Sequence, residues 1–401
     1  MSGSTIAGKT ARRLNFAVTF IGFIDTPLLV PVIALYAASL GAKTATVGLI
    51  VGLYSLTNTV CSVFGGRFID RYGYKTPLIV GLVGDSIGMF AYGLCRVPWH
   101  LALVRAFHGA CGGLVGPATM SSTAQTSPRR NLGKGMALYG IAIGTATLVG
   151  NASGGLVATR LGYGSVFLIG GSLLAIAVVM GALMPKGSRS AAKGLSLVPQ
   201  LKNIARLLGN RTLALPYASI FAQYFAFGGI VTLLPLRAES LEMSPFHVGL
   251  MIGTFALVFI LVQLPSGNLS DRIGRVRPAV AGLAVAAMAV AMLPLFSVLP
   301  LILLVMALFG LGYGLFFPAL SALVADGTSE KEYGMASGIY HALLTVGVAV
   351  GAPTMGWVAS YTGTSRAIAL SSIPLFIAVI LAVRTLRGTR STRLTDSRRI
   401  R

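Results

Sequence analysis

Twelve apolar runs, each of about twenty residues, follow one another along the chain, and the gaps between them hold nearly all of its charge. A helix rising about 1.5 Å per residue needs a run of that length to cross a hydrocarbon core of about 30 Å. The runs fall at 14–37, 45–65, 77–95, 99–121, 135–158 and 164–184, then at 213–236, 247–266, 278–297, 300–323, 334–358 and 366–384. Only 10% of the 401 residues are charged and 55% are hydrophobic, whereas soluble domains carry about 25% charge. There is no polar coat for a water-soluble surface, and the mean hydropathy of +0.80 agrees. The sequence predicts an all-α integral membrane protein with twelve transmembrane helices.

The net charge of +22 would fit a nucleic-acid binder, but the placement of the charges decides against one. With both termini on one side, 26 of the 32 Lys and Arg fall on that side; five fall on the other, and Arg105 lies within a run. This bias marks a cytoplasmic face and puts both termini inside, as expected in a bacterial inner membrane. The basic N-terminus resembles a signal peptide, yet its apolar run is too long for one, so it reads as an uncleaved first helix. Cys61, Cys95 and Cys111 all sit in apolar runs and read as small core residues.

The stretch Gly66–Lys75, GRFIDRYGYK, returns 201 residues later as GNLSDRIGR, Gly267–Arg275. Leu103–Ala118 aligns with Leu304–Ala319 at the same offset, and Gly150–Gly155 with Gly351–Gly356. The chain is therefore two copies of one plan, and parallel repeats of membrane helices are a transporter architecture. The expected domains are a six-helix bundle over 1–184, a linker over 185–211 with a short amphipathic helix, a second bundle over 212–384 and a disordered basic tail over 385–401.

The two Asp-Arg loops resemble the signature loop of the major facilitator superfamily. Gly66, Asp70, Arg71, Gly73 and Lys75 match it in the first half, and Gly267, Asp271, Arg272, Gly274 and Arg275 in the second. The resemblance implies a cytoplasmic gate latch that breaks as the two bundles rock. On physical grounds, Gly66 would admit a close helix, the carboxylate would sit near a helix N-terminus, and Arg71 and Lys75 would pair with carboxylates or lipid phosphates. Three segments resemble the twelve-helix drug:proton antiporter branch: the first run, the fourth with Arg105 and Gly109, and the fifth with Gly150, Gly154 and Gly155. The fifth departs from the pattern at Asn151, where the branch has proline; the repeat keeps one at Pro353, between Gly351 and Gly356.

Ionisable groups inside a span cost about 2.5–3.5 kcal/mol each and mark function by default. Asp25 lies deep in the first run, between residues that Pro27 and Pro31 bend out of a straight helix. It reads as a protonatable group or cation ligand, or as a carboxylate tied permanently to a cation. Arg105 keeps its proton and needs a carboxylate, an anionic substrate, backbone carbonyls or lipid headgroups. In the resembling branch such an Arg works with acidic residues, and coupling of Asp25 to Arg105 is the sharpest expectation. His108, one turn on, is placed to relay protons. His341 and Asp85 complete the coupling set, although the third helix is usually peripheral in this fold and favours a local partner for Asp85. Tyr36, Asn58, Gln223, Gln263 and Asn151 are expected to line a substrate cavity.

No phosphate-binding loop, metal-ligand spacing or nucleophile elbow occurs, so neither an enzyme nor a cofactor is expected. The reading is a monomeric secondary transporter in contact with lipid, driven by the proton gradient and exporting amphiphilic organic compounds. The alternative is an uptake symporter or facilitator for a small metabolite, with Arg105 binding a carboxylate.

Overall fold

The computed structural model describes residues 2–127, 132–186 and 197–399. Among these the chain is helical throughout, without a strand. The first six expected spans appear as α1 (Ser2–Gly22), α2 (Asp25–Leu29), α3 (Ile33–Ser39), α4 (Thr44–Tyr72), α5 (Lys75–Tyr92), α6 (Pro98–Thr126), α7 (Leu132–Leu161) and α8 (Tyr163–Leu183). The linker holds α9 (Leu197–Leu208). The second six follow as α10 (Arg211–Ser240), α11 (Pro245–Ile273), α12 (Val276–Met292), α13 (Leu299–Asp326), α14 (Glu330–Thr362), α15 (Thr364–Leu370) and α16 (Ile373–Arg399).

Nine of the described helices are long and apolar enough to cross a membrane, and the bent pair Thr10–Leu29 and Ile33–Ser39 makes a tenth span. The 44° bend falls where Pro31 interrupts the first run. The remaining two of the twelve, α5 and α6, carry Asp85, Arg105 and His108, which lower their hydropathy and are all buried. Side chains of Val63, Leu168, Val179, Leu183, Leu261 and Leu304 stand more than half exposed. A belt of exposed aliphatics around an interior holding Asp, Arg and His suits lipid and not water.

Two compact units make up the structure. One comprises Met1–Leu195 with Val231–Gly253, the other Ser196–Ile230 with Thr254–Arg401. In the first, α4 packs on α6, α5 lies between α6 and α8, and α2 rests on α7. In the second, α12 packs on α13 and α16.

The repeat recurs contact for contact. A side chain on Gly109 would strike the Tyr54 carbonyl, and one on Gly310 that of Phe255. Gly113 would place a Cβ 2.7 Å from the Asn58 carbonyl, and Gly314 one 3.1 Å from that of Phe259. Gly150 faces the Ile24 carbonyl as Gly351 faces that of Phe225. Every one of these pairs is 201 residues apart, so the glycines mark where helix backbones touch. Gly154 meets Leu28, and Gly155 meets Pro245 and Phe246. The loop glycines repeat too: Gly73 and Gly274 close α4 and α11 at φ +76° and +89°, a conformation that favours glycine.

Other expectations are corrected. Gly66 and Gly267 have nothing within 4 Å of a built Cβ, and the close approach falls at Gly65, 3.3 Å from the Gly113 carbonyl. Asp271 lies in the last turn of α11, not at a helix N-terminus; there the dipole opposes it, and Arg275 pairs with it while reaching Asp326 Oδ2 at 3.4 Å. The Asp70 side chain lies outside the described residues. Lys75 turns away from lipid: its Nζ donates to the Ala182 and Met184 carbonyls at 2.6 Å each, capping α8. Arg71 sits 5.2 Å over the Tyr72 ring, and Arg272 is exposed. The last helix, α16, runs on to Arg399; no proline follows Pro374, and Arg and Leu are good helix formers.

Candidate functional site

The broken first span delivers Asp25 to the interior, where it is 2% exposed. Its Oδ2 lies 2.8 Å from His108 Nε2 on α6. The other ring nitrogen, Nδ1, is 3.0 Å from Tyr92 Oη on α5. Tyr92 Oη accepts from Arg105 Nη1 at 3.4 Å, and the guanidinium stands 4.5 Å over the Tyr54 ring of α4. Thr26 Oγ1 donates to Tyr54 Oη at 2.8 Å, closing the ring back on α2.

Arg105 offers only N–H groups, so the Tyr92 oxygen accepts from it, while between Tyr92 Oη and His108 Nδ1 the tautomer of His108 decides which donates. A proton on Nδ1 goes to Tyr92 and leaves Nε2 to accept from a protonated Asp25; a proton on Nε2 goes to the Asp25 carboxylate. Asp25 and Arg105, whose coupling was expected, make no ion pair, and Tyr92 and His108 stand between them. Asp85 is also buried here, with Oδ1 3.8 Å from His108 Nε2 and neither oxygen hydrogen-bonded. Asp25, Asp85 and His108 bring one polar atom each to within 4.8 Å of one another. Arg105 nearby and the closed Asp25–His108 bond favour a proton over a divalent ion there.

A cavity of 260 Å³ adjoins the cluster inside the first unit. Asp25, Thr26, Tyr54, Asn58, Ser62 and Thr147 form its polar wall; Phe23, Pro27 and Val115 form the apolar one. Of the expected liners in this unit, Asn58 reaches it. Tyr36 instead donates to the carbonyls of Tyr92 and Cys95, at 2.8 and 3.2 Å, and packs on Phe167. Asn151 donates to the Thr147 carbonyl at 2.8 Å and lies buried against Gly249. In the second unit, Gln223 is buried with no hydrogen bond to its amide, and Gln263 is partly exposed. His341 is exposed, with Nδ1 3.0 Å from the Ser337 carbonyl of its own helix, and no ion pair joins it to an acidic group among the described residues.

The second half acts as an internal control. At the positions 201 residues after Asp25, Asp85, Arg105 and His108 stand Ala226, Ala286, Met306 and Phe309, all buried. Phe255 replaces Tyr54. The same helix packing is therefore built without any of the charges, and the cluster is not needed to make the fold.

Sequence reasoning missed Tyr92 and Thr26. One signal was present: Asp85, Gly88 and Tyr92 are spaced to share a face of α5, and Gly88 abuts His108.

A multi-pass helical membrane protein made of two repeats, with a buried ionisable network beside a cavity, is a membrane transporter. The Major Facilitator Superfamily model matches residues 16–236 and again 216–401, and the chain belongs to that family. It is similar to Multidrug resistance protein MdtG of Enterobacter lignolyticus, 25% identical over 397 residues, or 95% of this chain and 94% of that one. Multidrug resistance protein 2 of Bacillus subtilis is 22% identical over 356 residues, covering 87% and 88%. Among solved structures, the nucleoside transporter NupG superposes with a TM-score of 0.80 at 14% identity, over 93% of this chain and 99% of that one.

Proposed function

We propose that the protein is a proton-coupled secondary transporter that exports amphiphilic organic compounds by alternating access. The observation that carries this is the Asp25–His108–Tyr92–Arg105 network, fully buried, beside a cavity and absent from the half that shares its packing. A protonatable carboxylate held next to a fixed cation can exchange its proton for a cationic or polar substrate group that competes for the same charge. The multidrug resistance relatives favour export. So does the aromatic character of the second unit, where Phe255, Phe259, Phe309 and Tyr313 stack with centroids as close as 4.2 Å.

The test is transport in proteoliposomes containing a pH-sensitive dye, under an imposed proton gradient, with pooled lipophilic cations, sugars and carboxylates. Wild type should exchange protons for a lipophilic cation, and Asp25→Asn should not. Co-transport of a sugar or carboxylate with protons would replace export with uptake. Equal coupling in wild type and Asp25→Asn would make Asp25 structural.

A further inference from the structure

Asp85 has no task in the network as described. It is 1% exposed, and both of its oxygens lack a hydrogen bond. The charges around it do not close. Two carboxylates, Asp25 and Asp85, face one fixed cation, Arg105. With both ionised and His108 neutral, one negative charge is left uncompensated in the protein interior, which is strongly unfavourable. One proton held among the two carboxylates and His108 removes it.

Asp85 also lies against the cavity wall. Gly112 of α6 lines the cavity together with Tyr54 and Asn58. Tyr54 Oη, Asn58 Nδ2 and Asp85 Oδ1 all close on the Cβ position of Gly112, at 2.9, 3.3 and 3.6 Å, so Asp85 Oδ1 stands beside two polar groups of that wall.

We propose that Asp85 is a second proton-binding carboxylate beside the cavity wall, and that His108 hands a single proton between Asp85 and Asp25. This rests on the proton-coupled reading above. The transfer balances. His108 starts neutral, with its proton on Nδ1 donated to Tyr92 Oη and a lone pair on Nε2. Nε2 takes the proton of Asp85, which becomes the carboxylate while the ring becomes an imidazolium. Nε2 then gives a proton to Asp25, which becomes the carboxylic acid, and His108 ends neutral as it began. The ring shifts between an oxygen at 3.8 Å and one at 2.8 Å. The groups facing the pair are Thr26 of α2, Tyr54 of α4, Tyr92 of α5, and Arg105, His108 and Cys111 of α6. Thr147 of α7, on the cavity wall with Asp25, is an uncharged neighbour.

The test is infrared titration of the purified full-length protein without substrate, reading the protonated-carboxyl stretch at neutral pH. Wild type should show one such band. Both Asp25→Asn and Asp85→Asn should abolish it, because Arg105 balances whichever carboxylate remains. Asp85→Glu, which keeps the acid should an Asn variant fail to fold, should move the band's frequency. A band that survives Asp85→Asn, ignores Asp85→Glu or is absent from wild type overturns the proposal. Shared-proton behaviour in a protein that moves none of the pooled compounds would sink the export reading alone. Proton-coupled export with a band that survives Asp85→Asn would sink this inference alone.

Discussion

Alanine at Gly113 and alanine at Gly66 should act in opposite directions, although both glycines lie in long membrane helices of the same unit. At Gly113 a Cβ would lie 2.7 Å from the Asn58 carbonyl oxygen, 2.9 Å from Cys61 Cβ and 3.0 Å from the Ser62 nitrogen. Carbon contacts relax at about 3.5–4.0 Å, so all three overlap, and two of the three partners are backbone atoms that cannot rotate away. Overpacking of this kind costs about 1–3 kcal/mol, and rigid partners place it near the upper end. Alanine recovers about 0.8–1.0 kcal/mol of helix propensity, leaving a net loss of about 2 kcal/mol. At Gly66 nothing lies within 4 Å, and only the propensity gain of about 1 kcal/mol remains. For a half of this size these figures correspond to a fall of about 4–8 °C for Gly113→Ala and a rise of about 2–4 °C for Gly66→Ala. A thiol-reactive fluorogenic dye reads the melt in detergent, because unfolding releases Cys61, Cys95 and Cys111, all free thiols. The repeat supplies a replicate: Gly314→Ala should fall, since its Cβ would meet Val262 Cβ at 2.8 Å, and Gly267→Ala should rise. If Gly113→Ala melts at or above wild type, helix contact does not constrain that position and the account of the repeated glycines is wrong.

Other outcomes follow from single contacts. Gly73→Ala and Gly274→Ala force a side chain onto φ +76° and +89° and should each lower stability by about 1–2 kcal/mol, read in the same melt. Lys75→Met removes the donor shared by the Ala182 and Met184 carbonyls and should speed amide hydrogen exchange in the last turn of α8 while leaving α6 unchanged. The Ser329 hydroxyl, followed by the Arg206 guanidinium, holds the Glu332 carboxyl below its usual range. A lowered folded value means that this tether between α9 and α14 is at full strength above the unfolded carboxyl's pKa of about 4.3, and is lost as pH falls through the folded value. Exchange protection of α9 should therefore hold at neutral pH and fall on acidification in wild type, but be low at both in Arg206→Ala.

The parts of the fold legible in the sequence were those written locally. Apolar runs, the bend at Pro31 and the 201-residue repeat need no partner to be seen. Asp25, Arg105 and His108 stood out because charge in an apolar run is rare. The partners were harder to read. Lys75 caps carbonyls more than a hundred residues away, and nothing near it says so. Gly65 and Gly66 are indistinguishable in sequence; only the phase of α4 against α6 decides which one touches. The glycines at 109 and 113 hold the key to it, since their contacts with Tyr54 and Asn58 fix the rotation of α6 and thereby the direction of His108.

That dependence has a consequence for how the site works. His108 lies one residue before Gly109, whose contact with the Tyr54 carbonyl has its counterpart between Gly310 and Phe255. The second half keeps this backbone contact and fills the His108 position with Phe309, which is 1% exposed. The geometry that aims residue 108 inward therefore belongs to the scaffold, and the chemistry comes from what is placed there. Filling the same interior with Asp, His and Arg costs stability that Ala, Phe and Met do not. A chain that bears this cost in one half only, at the wall of a cavity, carries there charges that its helix packing does not require.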